Sequence, residues 1–357
     1  MNILKYFFLL TSFLSFSQVS IVNSENLKPI YFIEIYSESG NLIAVTNSKG
    51  KLSKKQINFL EQSKSDSLEI YHSDYKSKII RKENLFLDGH TIELSPVNFE
   101  NRLEEVLIKA EKKRFVKLKS YFRSIQFNDE RVHYYMDGIV CTYVDTKNFK
   151  IKIDIISNRS LQNKKIKQID EKGIIQSDFI IAGVPDFREF YNEDLLKKTY
   201  TFKALEDSTQ IYLDEVAVGR VNDQLNKKGI ELQLYNSSNP KVMRFLGTES
   251  VLENLSIISE YKPVELKKVN FGDIKNFKEI REYRIKQKKA KDYTNIRVIN
   301  EIYFLSKEFT NDKKGKSNFY QFLDTSNYNE TFWNQYKNSV PSLPKSVESF
   351  VSEQMIE

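Results

Sequence analysis

Three histidines and a single cysteine limit the chemistry this chain can attempt. His90 and Glu93 have the H-x-x-E spacing used to hold zinc. Their surroundings alternate as a strand, however, and residues three apart on a strand point to opposite faces. A catalytic zinc also needs three converging protein ligands and an open position, and only His72 and His133 remain to supply a third. The pattern therefore reads as polar residues entering a strand, and no metal or other cofactor is expected. Cys141 and His133 suggest a thiol nucleophile, which requires a base to lower the thiol pKa. None is evident. The run Val132–Val144 reads instead as two strands about an Asp137-Gly138 hairpin turn, with Cys141 a small buried hydrophobe.

Acidic residues are plentiful, with Asp145, Asp154, Asp214, Glu215 and Asp273 among them. A glycosidase needs two carboxylates at a set separation in space, which sequence does not reveal. No G-x-S-x-G, P-loop, G-x-G-x-x-G or H-E-x-x-H motif occurs. Ile181–Phe187 (I-A-G-V-P-D-F) is a bend set by glycine and proline, or a functional loop. The densest basic run is Arg281–Lys291, where Tyr283 and Ile285 alternate with charge. This places Arg281, Arg284, Lys286 and Lys288 on one strand face, a candidate surface for the phosphates of lipid or lipopolysaccharide. It lacks the stacked aromatics of a single-strand nucleic-acid platform, so no nucleic-acid partner is expected.

The elements that must position these groups are mostly strands. Pro29–Tyr36 alternates with Tyr31, Ile33 and Ile35 on one face. Glu38-Ser39-Gly40-Asn41 is turn chemistry, Leu42–Thr46 the returning strand, and Asn47-Ser48-Lys49-Gly50 the next turn. Ser67–His72 alternates with Leu68 and Ile70 inward, and Thr91–Leu94 closes the module. The order G-N-L-I-A-V-T-N-S-K-G, L-E-I-Y-H-S-D-Y, T-I-E-L-S-P and L-E-E-V-L-I-K-A resembles a carboxypeptidase-regulatory-like domain. That is a small transthyretin-like β-sandwich found in envelope proteins of Bacteroidota type. Thr46, Asn47 and Gly50 match its strand-turn-strand motif, with Leu52 where an aromatic commonly falls. Tyr75 matches its tyrosine, although Asp74 replaces the usual glycine, and Leu103–Ile108 matches its exit segment. The likeness covers about residues 27–110. It implies an accessory module placed ahead of outer-membrane barrels, TonB-dependent transporters or metallocarboxypeptidase domains, none of which is recognisable downstream.

Beyond it, Ala110–Lys119 reads as a basic linker or short helix. Ile151, Ile153 and Ile155 alternate with charged residues, as do Leu232 and Leu234, and Ile296 and Val298 continue through Ile302 and Phe304. These are half-buried antiparallel strands. Phe332, Trp333 and Tyr336, and then Val347, Phe350 and Val351, have helical spacing, punctuated by Pro341 and Pro344. The expected fold is mainly β or α+β, an N-terminal β-sandwich followed by a mostly antiparallel sheet domain with C-terminal helices. An open, curved sheet with helices on its concave face is one form it could take. The expected divisions are a signal peptide over 1–17, the sandwich over 22–97, an exit segment and linker over 98–118, and the sheet domain over 119–357.

The 357 residues suffice for two cores, and 40% hydrophobic residues argue against general disorder. A net charge of +7 permits attraction to anionic lipid, lipopolysaccharide or acidic glycan. One cysteine excludes an intramolecular disulfide. Asn2 and Lys5, the apolar run Tyr6–Phe16 and the small residues Ser15 and Ser17 read as a cleaved secretory signal ending before Gln18. No cysteine near that site offers a lipid anchor, and no transmembrane segment is expected in the mature chain. The function expected from these residues is that of a secreted, non-enzymatic envelope protein that binds or scaffolds, periplasmic or outer-membrane-associated. Its partner would be another envelope protein, a glycan or an anionic lipid. A lipid or lipopolysaccharide carrier and a secreted hydrolase are the alternatives.

Overall fold

The computed structural model describes residues 20–47, 50–87, 91–97, 113–148, 150–165, 180–185, 200–205, 208–213, 215–224, 227–235, 240–245, 247–262, 273–287, 290–312 and 325–357. The expected signal segment, His90, the 103–108 segment read as an exit motif, Asp214 and Lys288 lie outside them. Two compact units are present, Met1–Asn98 with Pro344–Ser346, and Phe99–Leu343 with Val347–Glu357.

In the first unit, β2 (Glu34–Ser37), β3 (Leu42–Val45), β4 (Ser67–His72) and β5 (Tyr75–Arg81) form an antiparallel sheet in the order β3-β2-β4-β5. A parallel pair, β1 (Ser20–Asn23) with β6 (Thr91–Leu94), makes a second layer. Ile21, Ile92 and Leu94 of the pair share one core with Ile33, Ile35, Leu68 and Ile70, so the layers form a small sandwich. The turn after β2 is made as expected, Gly40 taking φ 75° and its N–H donating to the Ser37 carbonyl. The preceding strand is shorter than the alternation implied, because Phe32 takes φ 53° and the ladder starts at Glu34. Helix α1 (Lys54–Gln62) was not anticipated. A capping box starts it: Gln56 N–H donates to Ser53 Oγ at 3.3 Å, and Ser53 N–H donates to Gln56 Oε1 at 2.9 Å. Its Leu60 then reaches the core.

The second unit is built on one large sheet. Its strands are β7 (Phe115–Asn128), β8 (Arg131–Asp145), β9 (Ile151–Asn163), β10 (Tyr200–Ala204), β11 (Thr209–Leu213), β12 (Val216–Gln224), β13 (Lys227–Tyr235), β14 (Lys241–Phe245), β15 (Thr248–Tyr261), β16 (Ile274–Lys286), β17 (Thr294–Thr310) and β18 (Met355–Ile356). The order is β10-β11-β12-β13-β15-β16-β17-β7-β8-β9-β18, with β14 also paired to β15. Every pairing in it is antiparallel.

Two expectations are corrected here. Residues 115–119 are not linker but the start of β7, because Val116 and Leu118 turn inward while Lys117 and Lys119 alternate with them. Asp137-Gly138 is not a turn but the middle of the 15-residue β8. The hairpin reverses at Asp129-Glu130, both at positive φ.

Period-2 alternation gives the sheet two faces. The first carries an apolar cluster that includes Val116, Leu118 and Phe122 of β7, Phe277 of β16 and Val298 and Ile302 of β17. Ile153 and Ile155 pack against it as their alternation predicted, and so do Ile180, Ile181 and Val184. The second face receives the C-terminal segment. Helix α2 (Phe332–Gln335) brings Phe332, with Trp333 and Tyr336, onto Tyr121, Ile139 and Tyr303. Helix α3 (Lys345–Gln354) buries Val347 and Val351 of the stripe read from sequence and leaves its third member, Phe350, half-buried.

Candidate functional site

Strand register assembles the strongest concentration of charge on the second face. Lys278 of β16 lies opposite Glu301 of β17, and Glu301 opposite Arg123 of β7. Arg123 lies opposite Asp137 of β8, and Asp137 opposite Arg159 of β9. One row across five adjacent strands therefore alternates in sign, cation to anion, from Lys278 to Arg159. All but Arg159 are buried, and the Arg159 side chain is only 18% exposed.

At one end, Asp137 accepts four donors. Tyr121 and Tyr135 donate their hydroxyls to Oδ2 at 2.7 and 2.8 Å. Arg159 donates from Nε to Oδ1 at 3.0 Å and from Nη2 to Oδ2 at 2.7 Å. Burial pushes both tyrosine pKa values up, and the Asp137 charge adds to the effect, so the two hydroxyls stay protonated as donors. Burial works against the Arg159 charge, but its hydrogen bonds and attraction to Asp137 outweigh that and hold it cationic. The guanidinium carbon lies 4.1 Å from the Trp333 ring centroid and 5.4 Å from that of Tyr135.

At the other end, Arg123 donates from Nε to Glu301 Oε2 at 2.7 Å and from Nη1 to the Pro341 carbonyl at 3.1 Å. Lys278 Nζ lies 3.3 Å from Glu301 Oε1. Burial would raise the Glu301 pKa, but Arg123 and Lys278 outweigh it and hold the carboxyl down at about 2.

A polar seam crosses the apolar first face. Arg281 Nη2 donates to Glu279 at 2.7 Å, Asn300 Nδ2 to Glu279 at 2.8 Å and Ser124 Oγ to Asn300 Oδ1 at 2.6 Å. Ser124 Oγ in turn accepts from Gly183 N–H at 3.1 Å, and Gln126 Oε1 from Ile181 and Ala182 N–H at 2.8 and 3.1 Å. The described part of the Ile181–Phe187 bend is thus held as a strap against the sheet.

Of the four cations proposed from sequence, the three described ones, Arg281, Arg284 and Lys286, do not share a face. Arg281 has the parity of Tyr283 and Ile285 and turns to Glu279, whereas Arg284 and Lys286 have the opposite parity. Arg284 Nε meets Glu253 Oε1 at 2.5 Å, and both it and Lys286 lie against the Tyr293 ring, at 5.1 and 5.4 Å. The anion-binding face expected there is therefore split, and Arg281 and Arg284 are already engaged by carboxylates. Cys141 and His133 lie eight positions apart on β8, too far along a strand for a nucleophile and its base. Burial raises the thiol pKa and lowers that of His133 to about 4. Among the described residues, no group of three or more His, Cys, Asp or Glu is placed to hold a metal ion. Asp145 closes β8 with Arg114 at 3.1 Å, while Asp154, Glu215 and Asp273 sit on β9, before β12 and before β16.

No family model matches the sequence, and no curated protein matches it. Among solved structures, the chain is similar to one described as lipid–protein interactions in lipovitellin, at 10% identity and a TM-score of 0.27. The match covers 66% of this chain and 28% of that one. A likeness that weak carries no argument about ligand or function.

Proposed function

We propose that this chain is a non-enzymatic binding or scaffold protein of the cell envelope, exported by its N-terminal signal, with the small sandwich as an accessory module of carboxypeptidase-regulatory-like type. The observation that supports it most is the alternating row, whose ionisable groups are spent on one another. Each of the seven buried carboxylates among the described residues accepts a hydrogen bond from its own chain. The donors are Tyr36 to Glu34, Ser346 to Glu69, Arg159 to Asp137, Arg114 to Asp145, Arg220 to Glu231, Arg281 to Glu279 and Arg123 to Glu301. A general acid needs its pKa raised toward neutrality, and Glu301 is driven the other way. Among the described residues, no helix is long and apolar enough to cross a membrane.

The test is affinity capture with the full chain from envelope fractions, with mass spectrometry of what is retained. A partner that survives Glu301→Gln in folded protein supports the reading. Turnover of a glycan or peptide that this substitution abolishes without unfolding would replace it with a hydrolase.

A carrier of lipid or lipopolysaccharide is the second reading, favoured by the breadth of the apolar first face and by the strap bound across its polar seam. Solvent extraction of the purified chain and lipid mass spectrometry decide it. A lipid held in stoichiometric amount supports a carrier, and a blank extract discards it.

A further inference from the structure

The two sides of the large sheet are finished differently. Beyond β9, the chain's own C-terminal residues cover the edge from Asn158 to Asn163. Asn158 and Asn327 exchange backbone hydrogen bonds at 2.9 and 2.8 Å, Ser160 N–H donates to Ser326 Oγ at 3.0 Å, and β18 pairs with Gln162 and Asn163. Such cover is how proteins prevent strand edges from recruiting other chains. On the opposite side of the sheet, where β10 ends the main strand order, β14 has no described strand along its outer edge. It pairs with β15 over Lys241–Phe245 against Thr248–Leu252, and with no other described strand. β13 lies along the same side of β15 only from Leu255 onward. β12 pairs with β13 from Gly219 to Gln224 and begins at Val216, so no described strand runs beside β14. Here β14 exposes large apolar side chains: Phe245 at 75%, Val242 at 48% and Met243 at 44%. An open strand edge carrying exposed apolar residues is the signature of an interface.

We propose that β14 is a dimerisation edge, where it pairs antiparallel with β14 of a second copy about a two-fold axis through Met243. The sequence K-V-M-R-F selects that occupant and register. All five residues pair only when Met243 lies opposite itself, which sets Lys241 against Phe245 and Val242 against Arg244. No like charges then meet, whereas like charges directly opposite destabilise a strand pair. Shifting the axis to Arg244 would put the two arginines opposite each other. On one face the arrangement gathers two Met243 and two Phe245 side chains, flanked by the lysine stems. Arg244 brings no uncompensated charge, because Glu249 of its own chain already binds it at 2.7 Å. The contact is isologous and closes, giving a dimer rather than a filament. It goes beyond the envelope-scaffold reading and does not depend on it.

Single-cysteine cross-linking of the full chain tests both partner and register. Directly opposite residues have Cβ atoms about 4.5–5.5 Å apart, so Met243→Cys should give a covalent dimer on mild oxidation. Val242→Cys should not, since its own symmetry mate lies beyond the roughly 7 Å Cα limit for a disulfide. The native thiol, Cys141, is buried and leaves the wild type as a blank. Sedimentation should show a wild-type dimer whose dissociation constant rises at least about tenfold in Met243→Lys, which sets two cations face to face. β14 is short and exposed, and far-UV circular dichroism verifies that each variant folds. A wild type that stays monomeric at high micromolar concentration overturns the proposal. So does a dimer indifferent to Met243→Lys, or equal cross-linking at positions 242 and 243. A monomer that instead retains a different envelope protein through β14 would assign this edge to another partner and likewise overturn it.

Discussion

Replacing Glu301 by glutamine asks how much the buried row contributes to the second unit. The carboxylate sits between the Arg123 guanidinium at 2.7 Å and the Lys278 ammonium at 3.3 Å. Burial acts to raise its pKa, yet the two cations leave it at about 2 instead of 4.5. That difference is worth about 3 kcal/mol in favour of the ionised folded state. Removing one member of a buried pair costs about 3–5 kcal/mol, because the partners keep their charge without compensation. The two figures describe one interaction and are not additive. We expect Glu301→Gln to lower the unfolding free energy by about 3 kcal/mol at neutral pH.

The pH dependence has a definite sign. The folded pKa is depressed, so the contribution is fully present above 4.5 and is lost as pH falls through about 2. The gap between wild type and variant should therefore be level from neutrality to the upper limit of that window and close within it. Urea unfolding followed by the fluorescence of Trp333 is the assay. Trp333 is the chain's single tryptophan and stacks on Arg159 at the far end of the same row. Removing all three charges together, by Arg123→Met, Lys278→Met and Glu301→Leu, leaves none of the three uncompensated and should recover much of the loss. A loss below about 1 kcal/mol in Glu301→Gln, the scale of a solvent-exposed pair, would refute the reasoning. So would a gap that does not change with pH.

Three further outcomes are expected. Gly138→Ala should destabilise the fold beyond the roughly 1–3 kcal/mol of ordinary overpacking, measured by the same unfolding assay. Its Cβ would meet the Ser157 carbonyl oxygen at 2.3 Å and the Phe122 ring at 2.6 Å, and the first of these is backbone that cannot rotate away. Cys141 should resist thiol reagents in the native protein and react on adding denaturant, because it is buried and burial raises its pKa. Prompt reaction of the native thiol would contradict this. His133 should titrate near 4 by NMR rather than near its ordinary 6.5. Since the unfolded chain binds that proton more readily, this group makes stability fall as pH drops from 6.5 through about 4.

What was legible in the sequence was what local spacing decides. Ser67–His72 and Thr91–Leu94 form strands with the bounds that alternation assigned them. The Phe332, Trp333 and Tyr336 stripe packs on the sheet, and the mainly β fold with C-terminal helices follows from such segments. Two misses were local as well. The Ser53 to Gln56 capping box and the inward Val116 and Leu118 were present in the sequence, the first in a stretch given no reading and the second masked by lysine content. Gly138 is different in kind. Asp-Gly is strong turn chemistry, but this glycine answers to the approach of Phe122 and Ser157, which only strand pairing creates. The row itself joins residues as far apart as Arg123 and Glu301, 178 positions in sequence. No local pattern encodes that juxtaposition.

The same row shows why alternation alone fails across a wide sheet. Ile155 and Arg159 have the same parity, so in an unbroken strand both would point to one face. They do not, because the register skips Ile156: Ile155 pairs with Val140 on the first face, and Ser157 with Ile139 on the second. A bulge of one residue delivers Ile151, Ile153 and Ile155 to the apolar core and still presents Arg159 to Asp137. The skipped residue is left 53% exposed, an isoleucine whose position makes sense only as the spacer. Similar skips occur at His133, Glu253, Lys275 and Leu305. The skip at Glu253 keeps Leu252 and Leu255, of opposite parity, in one cluster, and that at Lys275 does the same for Ile274 and Phe277. Each bulge resets parity where a strictly alternating strand would turn its apolar set outward. The buried charges are thus positioned by where the strands slip as much as by where they pair.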